Sequence, residues 1–160
     1  YSAAGLKILL ENKKADRKFS KKATGTVFKP RPKLRFGLQN RNYFTSAMDS
    51  SDGLSTTLYE MAKQSRKKFV ITNLPTNSEL LEFARKNRID PLDLVFNGGE
   101  EYEIVATVSP AKLQKLKNNA KKLKISLFEI GFVADGRGVE YWQGNKILRI
   151  ENLGWMHFRS

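Results

Sequence analysis

The stretch FTSAMDSSDGLSTTLYEMA, Phe44 to Ala62, gathers Asp49, Ser50, Ser51, Asp52 and Gly53 where an extended run gives way to a helical one. Phe44 to Met48 has the small and apolar character of a buried strand end, and from Gly53 onward Leu54, Leu58, Met61 and Ala62 fall on one helical face. A helix starting near Asp52 aims its first free N–H groups and the positive end of its dipole at residues 49–53, which favours negative charge there. One carboxylate in that position is ordinarily a cap. Asp49 and Asp52 together exceed what a single helix start uses. Carboxylates flanked by hydroxyls also suit Mg²⁺, which is usually held by one or two carboxylates while substrate phosphates complete its shell. Gly53 either admits a ligand close to the backbone or simply serves the turn.

A second cluster, FNGGEEYEIVATV from Phe96 to Val108, has the same layout: Gly98 and Gly99, then Glu100, Glu101 and Glu103 leading into a strand over Glu103–Val108. A Gly-Gly turn before an edge strand with solvated acids is the plain alternative. Strand alternation would put Glu101 and Glu103 on one face and Glu100 on the other.

Working outward, Ala3 to Lys13 carries Leu6, Leu9 and Leu10 at helical spacing, and the basic stretch Lys13 to Lys22 reads as a linker or exposed loop. Pro30 and Pro32 in FKPRPKLRFG favour an extended path. Phe69 to Leu74 reads as a strand, and Thr76 with Glu79 has capping-box spacing ahead of a helix running to about Asn87. Ser109-Pro110 opens a helix with Leu113, Leu116, Ala120 and Leu123 inward, its lysines forming a solvated face. Ile125–Val133 is expected as a strand, and Val139–Gln143 with Lys146–Ile150 as a hairpin across Gly144-Asn145. Strands interleaved with three or four helices predict an α+β, α/β-like fold: a mixed sheet with helices packed on one face.

Composition sets the outer limits. A chain of 160 residues with 40% hydrophobic content can build one domain with a proper core. Lys and Arg number 29 against 16 Asp and Glu, and the net charge of +13 favours anionic partners without choosing among them. The absence of cysteine excludes disulfides and thiol catalysis and fits a reducing compartment. No apolar run approaches the roughly 20 residues that span a bilayer, so a soluble, cytoplasmic protein without membrane contact is expected. The opening YSAAGLKILLENKK reads as the last helix of something earlier, and hence as part of a longer polypeptide.

Four blocks in order carry a resemblance: PRP at Pro30–Pro32 ahead of a glycine, MDSSDGL at Met48–Leu54, NGGEEYEIV at Asn97–Val105 and GWMHF at Gly154–Phe158. Together they resemble the C-terminal domain of thiamine-monophosphate kinases, a family of the aminoimidazole-ribotide-synthetase-like superfamily, over about Ala3 to Phe158. The family patterns run approximately MDISDGL and GGEDYEL. Ser50 stands for the usual Ile, Ile104 for the usual Leu, and Glu101 for the usual Asp, one methylene longer.

The resemblance implies an aminoimidazole-ribotide-synthetase C-terminal-domain-like fold and an ATP-dependent, Mg²⁺-assisted phosphorylation of thiamine monophosphate to thiamine diphosphate. By position it makes Asp49 and Asp52 Mg²⁺ ligands, Ser51 an ATP contact, and Glu100 and Trp155 the substrate-binding pair, with no protein nucleophile. It also implies a division in which residues 1–22 are the end of a preceding helix and a linker and residues 23–160 the C-terminal substrate- and metal-binding domain. An N-terminal nucleotide-binding domain absent from this chain, and a homodimer at full length, complete the expectation, with the isolated fragment inactive. The rival readings are another ATP-dependent member of the superfamily, making a ribotide, a selenophosphate or a hydrogenase cofactor, and a basic nucleic-acid binder suggested by the charge and by FKPRPKLRF. The nucleic-acid reading is the weaker, because no RNP-type, KH or helix-turn-helix pattern is visible. The single histidine, His157, is read as structural.

Overall fold

In the computed structural model, which describes residues 1–99 and 101–152, three helices come first: α1 (Ser2–Glu11), α2 (Arg17–Phe28) and α3 (Leu34–Asn40). A tight turn at Arg41–Tyr43 leads into β1 (Phe44–Asp49), α4 (Leu54–Ser65) and β2 (Lys68–Ile71). Then follow α5 (Ser78–Asn87), α6 (Pro91–Phe96), β3 (Ile104–Val108), α7 (Pro110–Lys122), β4 (Gly131–Ala134), β5 (Gly138–Gln143) and β6 (Lys146–Arg149). The class is mixed α+β, as the interleaving predicts. Its strands divide between a two-stranded antiparallel ribbon, β1 with β3, and a mixed four-stranded sheet in the order β4-β2-β5-β6.

Apolar spacing explains where each helix lies. Leu54, Leu58, Met61 and Ala62 turn one face of α4 onto the larger sheet, against Phe69, Ile71, Val139 and Tyr141. Leu58 is 1% exposed, so its truncation to Ala removes about 2–5 kcal/mol. Alternation sends the neighbours of Val139 and Tyr141 to the opposite face, where Trp142 and Phe132 meet edge to face at 5.8 Å and stay half-open to solvent. A second cluster joins Ala3 and Ala4 of α1, Phe19 and Ala23 of α2, and Leu80, Phe83 and Leu94 of α5 and α6. A third packs Phe36 of α3 on Leu116 and Ala120 of α7 beneath the ribbon.

Several elements depart from the sequence reading. The loop expected over Lys13–Lys22 is confined to residues 12–16, because the Asp16 carboxylate accepts the Phe19 N–H at 2.9 Å and starts α2 at Arg17. Residues 1–22 are thus no simple helix end and linker: Phe19 and Ala23, four apart, bury α2 against α1 and α5 while the basic residues face outward. The extended path set by Pro30 and Pro32 is brief, and helix resumes at Leu34. Thr76 does not cap α5. The side chain of Asn77 does, accepting the Leu80 N–H at 3.0 Å, while Glu79 is drawn away to the Tyr1 hydroxyl and to Lys22.

Helix α6 is additional to the elements expected from the sequence, although its Asp90 cap and Pro91 at the first helical position are start signals. Of the strand expected over Ile125–Val133 only Gly131 onward is regular, and β2 ends at Ile71, not Leu74. The described residues hold seven α-helices rather than three or four.

Helices α1 and α2 cross so closely at Gly5 that a Cβ there would collide with the Ala23 carbonyl, whereas Gly25 on the same pair faces open space. Gly5→Ala is therefore expected to destabilise by about 1–3 kcal/mol, lowering Tm by about 2–4 °C per kcal/mol. Gly25→Ala is expected to leave Tm unchanged or raise it. Thermal denaturation followed by far-UV circular dichroism separates the two.

Candidate active site

Antiparallel pairing brings the end of one strand beside the start of the other, and this places the two acidic motifs together. In the ribbon Asp49 pairs with Ile104 and Met48 with Val105, so the loop leaving β1 and the loop entering β3 emerge at the same end. The Ser50 N–H extends the ladder by one bond, to the Glu103 carbonyl at 2.9 Å. Glu101 and Glu103 both precede β3, so strand alternation does not sort them.

Beyond the ladder the two loops touch along glycine. Gly53 adopts φ 104° and ψ 152°, a region essentially closed to other residues, and a Cβ there would stand 3.2 Å from the Phe96 carbonyl and 3.3 Å from that of Gly98. On the facing loop a Cβ on Gly99 would stand 3.0 Å from the Ser51 carbonyl, and one on Gly98 would strike Ala3 of α1. No side chain would fit between these backbones without pushing them apart.

Gly53 is also the N-cap of α4, and no side chain caps this end. The capping alternative for Asp49, Ser51 and Asp52 therefore falls. Asp49 is exposed, Ser51 and Asp52 are half-buried, and Ser50 is buried. Among the described residues neither Asp49 nor Asp52 enters an ion pair. The first-turn N–H groups of α4 and two unengaged carboxylates thus share one loop, with hard oxygen donors that fit a small divalent cation. They supply only part of a shell: among the described residues no cluster of three or more His, Cys, Asp or Glu could hold a metal ion.

Side chains that motif reading passed over fix this arrangement. The Thr57 hydroxyl, one turn into α4, lies 3.0 Å from the Asp49 carbonyl and 3.1 Å from that of Gly53. The Ser55 hydroxyl donates to Asn97 Oδ1 at 3.2 Å, and Asn97 donates in turn to Asp93, which pairs with Lys7 of α1 at 3.2 Å. Burial opposes the Lys7 charge, but hydrogen bonds and attraction to Asp93 and Glu11 prevail and raise its pKa.

Glu101 accepts the backbone N–H of Ser2, the first residue of α1, at 2.9 Å, and so caps that helix. Glu103 pairs with Lys33 at 3.1 Å, and Lys33 also reaches the Arg31 carbonyl, which brings the Pro30–Pro32 segment to the rim. Helical spacing hints at Ser55 and Thr57, which fall at buried positions of an otherwise apolar face; nothing local marks Lys33 or the role of Glu101.

Three of the four motif blocks thus converge. Glu100, Trp155 and His157 lie outside the described residues. The chain leading toward Trp155 is anchored at the site, since the Thr56 hydroxyl in the first turn of α4 donates to Asn152 at 3.0 Å. A cleft lined by Asp90, Asn97, Tyr141, Ile150 and Glu151 opens alongside.

Known proteins share this arrangement of elements. The chain is 52% identical over 159 residues to the thiamine-monophosphate kinase of Nitrosopumilus maritimus, covering 99% of this chain and 50% of that protein. It is 34% identical over 133 residues to the thiamine-monophosphate kinase of Pyrococcus horikoshii, covering 82% and 40%. Among solved structures, AaThiL complexed with AMPPCP and TMP superposes with a TM-score of 0.79 at 28% identity, over 98% of this chain and 48% of that one. The chain therefore spans about half the length of the curated relatives it matches. The family described as AIR synthase related protein, C-terminal domain, matches residues 4–143, and the chain belongs to that family.

Proposed function

We propose that this chain is the C-terminal half of a cytoplasmic thiamine-monophosphate kinase, binding thiamine monophosphate and divalent cations while a preceding domain of the same polypeptide carries most of the nucleotide site and the dimer contact. The observation that carries the reading is the meeting of the MDSSDGL and NGGEEYE loops at one end of the ribbon, joined through the Ser50–Glu103 bond and the seam at Gly53 and Gly99. Identity of 52% to a named thiamine-monophosphate kinase supports the choice of substrate. The pairing of an ATP analogue with TMP in AaThiL supports ATP as the phosphoryl donor.

In this reading Asp49 and Asp52 are the chain's Mg²⁺ ligands, and Ser51 faces the nucleotide. Bound Mg²⁺ would neutralise the two phosphate groups that must meet, a requirement of phosphoryl transfer that outweighs any need for a protein nucleophile. The open N-terminus of α4 adds uncompensated N–H groups to the same loop and favours anionic oxygen there. Glu100 and Trp155 take the thiamine end, where a carboxylate and an indole face suit a planar cationic ring. Glu103, held by Lys33, is not free for that role, and Glu101 is committed to α1.

Two measurements check the assignment. In the full-length polypeptide, calorimetry of thiamine monophosphate binding with Mg²⁺ and a non-hydrolysable ATP analogue should weaken at least about tenfold on Asp52→Asn, since even partners of metal ligands cost that much. Trp155→Ala should weaken the same binding without altering the Mg²⁺ requirement. Unchanged binding in both variants would overturn the site. The 160-residue chain alone should show no turnover in a coupled ATP-consumption assay, because two carboxylates leave the metal shell incomplete.

A further inference from the structure

The helix that follows the acidic loop carries polar residues where its apolar pattern calls for hydrocarbon. Thr57 is 2% exposed, between Leu54 and Leu58 and Met61 on the buried side of α4. A buried hydroxyl is retained only if its hydrogen bonds offset the loss of water, and a valine of nearly the same shape would satisfy the packing without that requirement. What the hydroxyl does that valine cannot is specific. It reaches the Gly53 carbonyl one turn back, a common helical contact, and also the Asp49 carbonyl, eight residues earlier at the last position of β1.

The four residues between Asp49 and Leu54 are the candidate metal loop, and Thr57 spans both of its ends. On one side the loop is fixed to β3 through the Ser50 N–H, on the other to the Asn97–Gly99 loop through the approach at Gly99. Neither contact holds the Asp49 carbonyl against the first turn of α4. The single hydroxyl hydrogen of Thr57 is shared between those two carbonyls, and because Thr57 itself belongs to α4, its contact with the Asp49 carbonyl ties the end of β1 to the helix.

We propose that Thr57 is a positioning residue: by tying the end of β1 to the first turn of α4 it sets the separation and direction of Asp49 and Asp52 as cation ligands. The proposal rests on the reading of that loop as the Mg²⁺ site. Small divalent cations require near-ideal octahedral oxygen geometry, so a loop whose ends can drift loses affinity even when both carboxylates remain. The role resembles that of groups behind the ligands of other metal sites, whose removal costs about 10- to 100-fold in affinity.

The test uses the full-length polypeptide and Mn²⁺ as a paramagnetic probe in place of Mg²⁺. In ¹H–¹⁵N spectra, sub-stoichiometric Mn²⁺ should broaden the amide resonances of Ser50–Gly53 selectively, and Mg²⁺ in excess should reverse it. Thr57→Val is expected to need about tenfold more Mn²⁺ for equal broadening. Thr57→Ser, which keeps the hydroxyl and loses a methyl group, should titrate within about twofold of the wild type despite a lower Tm. A purely structural role predicts the opposite order, with Val harmless and Ser following the loss of packing. If Thr57→Val fails to give a dispersed spectrum, Thr57→Ala removes the same hydroxyl and takes its place. Identical titrations for wild type and the hydroxyl-free variant would overturn the positioning role while leaving the metal reading intact. Broadening in the wild type that misses Ser50–Gly53 would overturn both.

Discussion

The antiparallel pairing of β1 with β3 is the contact on which the rest of this structure depends. The paired residues Asp49 and Ile104 are far apart in sequence, with α4, β2, α5 and α6 between them, so the ribbon closes a long loop. Loop-closure entropy grows slowly with length, and the intervening clusters of apolar side chains offset it. Its register is the sensitive quantity. A slip of one residue would turn Asp49 to the other face and break the alignment of Ser50 with the Glu103 carbonyl, separating the two loops. A two-stranded ribbon is marginal alone, and here Phe36, Leu116 and Ala120 of α3 and α7 support it from beneath.

Charge gives the acidic loop its character by contrast. Many of the acids in this basic chain are occupied, among them Glu79 with Lys22, Asp93 with Lys7, Glu103 with Lys33, Glu129 with Lys117, Asp135 with Lys67 and Glu140 with Lys68. Such exposed pairs contribute little to stability, commonly below about 1 kcal/mol each. Their interest lies in what they leave over. In a chain of net charge +13, Asp49 and Asp52 stand without a cationic partner among the described residues, at a helix start whose own field is positive. Both carboxylates are thereby available to an external cation.

What could be read from the sequence was what local chemistry determines. The strand, acidic loop and helix over Phe44–Ser65, the Ser109-Pro110 helix start and the hairpin at Gly144-Asn145 each depend on residues within a few positions of one another. The three motif blocks within residues 4–143, the span that the family model matches, carried that family correctly, and GWMHF lies outside it. The failures share a different cause. Thr76 and Asn77 are both capping residues; Asn77 takes the cap, and Tyr1 and Lys22, far away in sequence, engage Glu79. The basic run at Lys13–Lys22 hid an amphipathic helix because Phe19 and Ala23 are its only deeply buried side chains, and their partners lie in α1 and α5. The seam at Gly53 and Gly99 was visible as glycine but not as contact, since close approach belongs to two backbones and not to one sequence.

Glu101 shows how a departure from a motif can be absorbed by the fold. Its carboxylate caps α1, and Gly98 three residues earlier packs against Ala3 of that same helix, so α1 and the Asn97–Gly99 loop are held at two points. The loop's other side contacts Ser51 through Gly99 and binds Ser50 through the Glu103 carbonyl. Contacts therefore link α1 to the Asn97–Gly99 loop and that loop to the acidic loop. The carboxylate at 101 serves those contacts from outside the acidic loop, so the extra methylene changes how α1 is reached and leaves the composition of the loop at Asp49–Asp52 untouched. Among the described residues, that loop would offer an octahedral cation two protein carboxylates. On the proposed reading the remaining oxygens would come from water, from phosphate or from another part of the protein, and a site so divided would hold its metal firmly only with the substrate present to complete it.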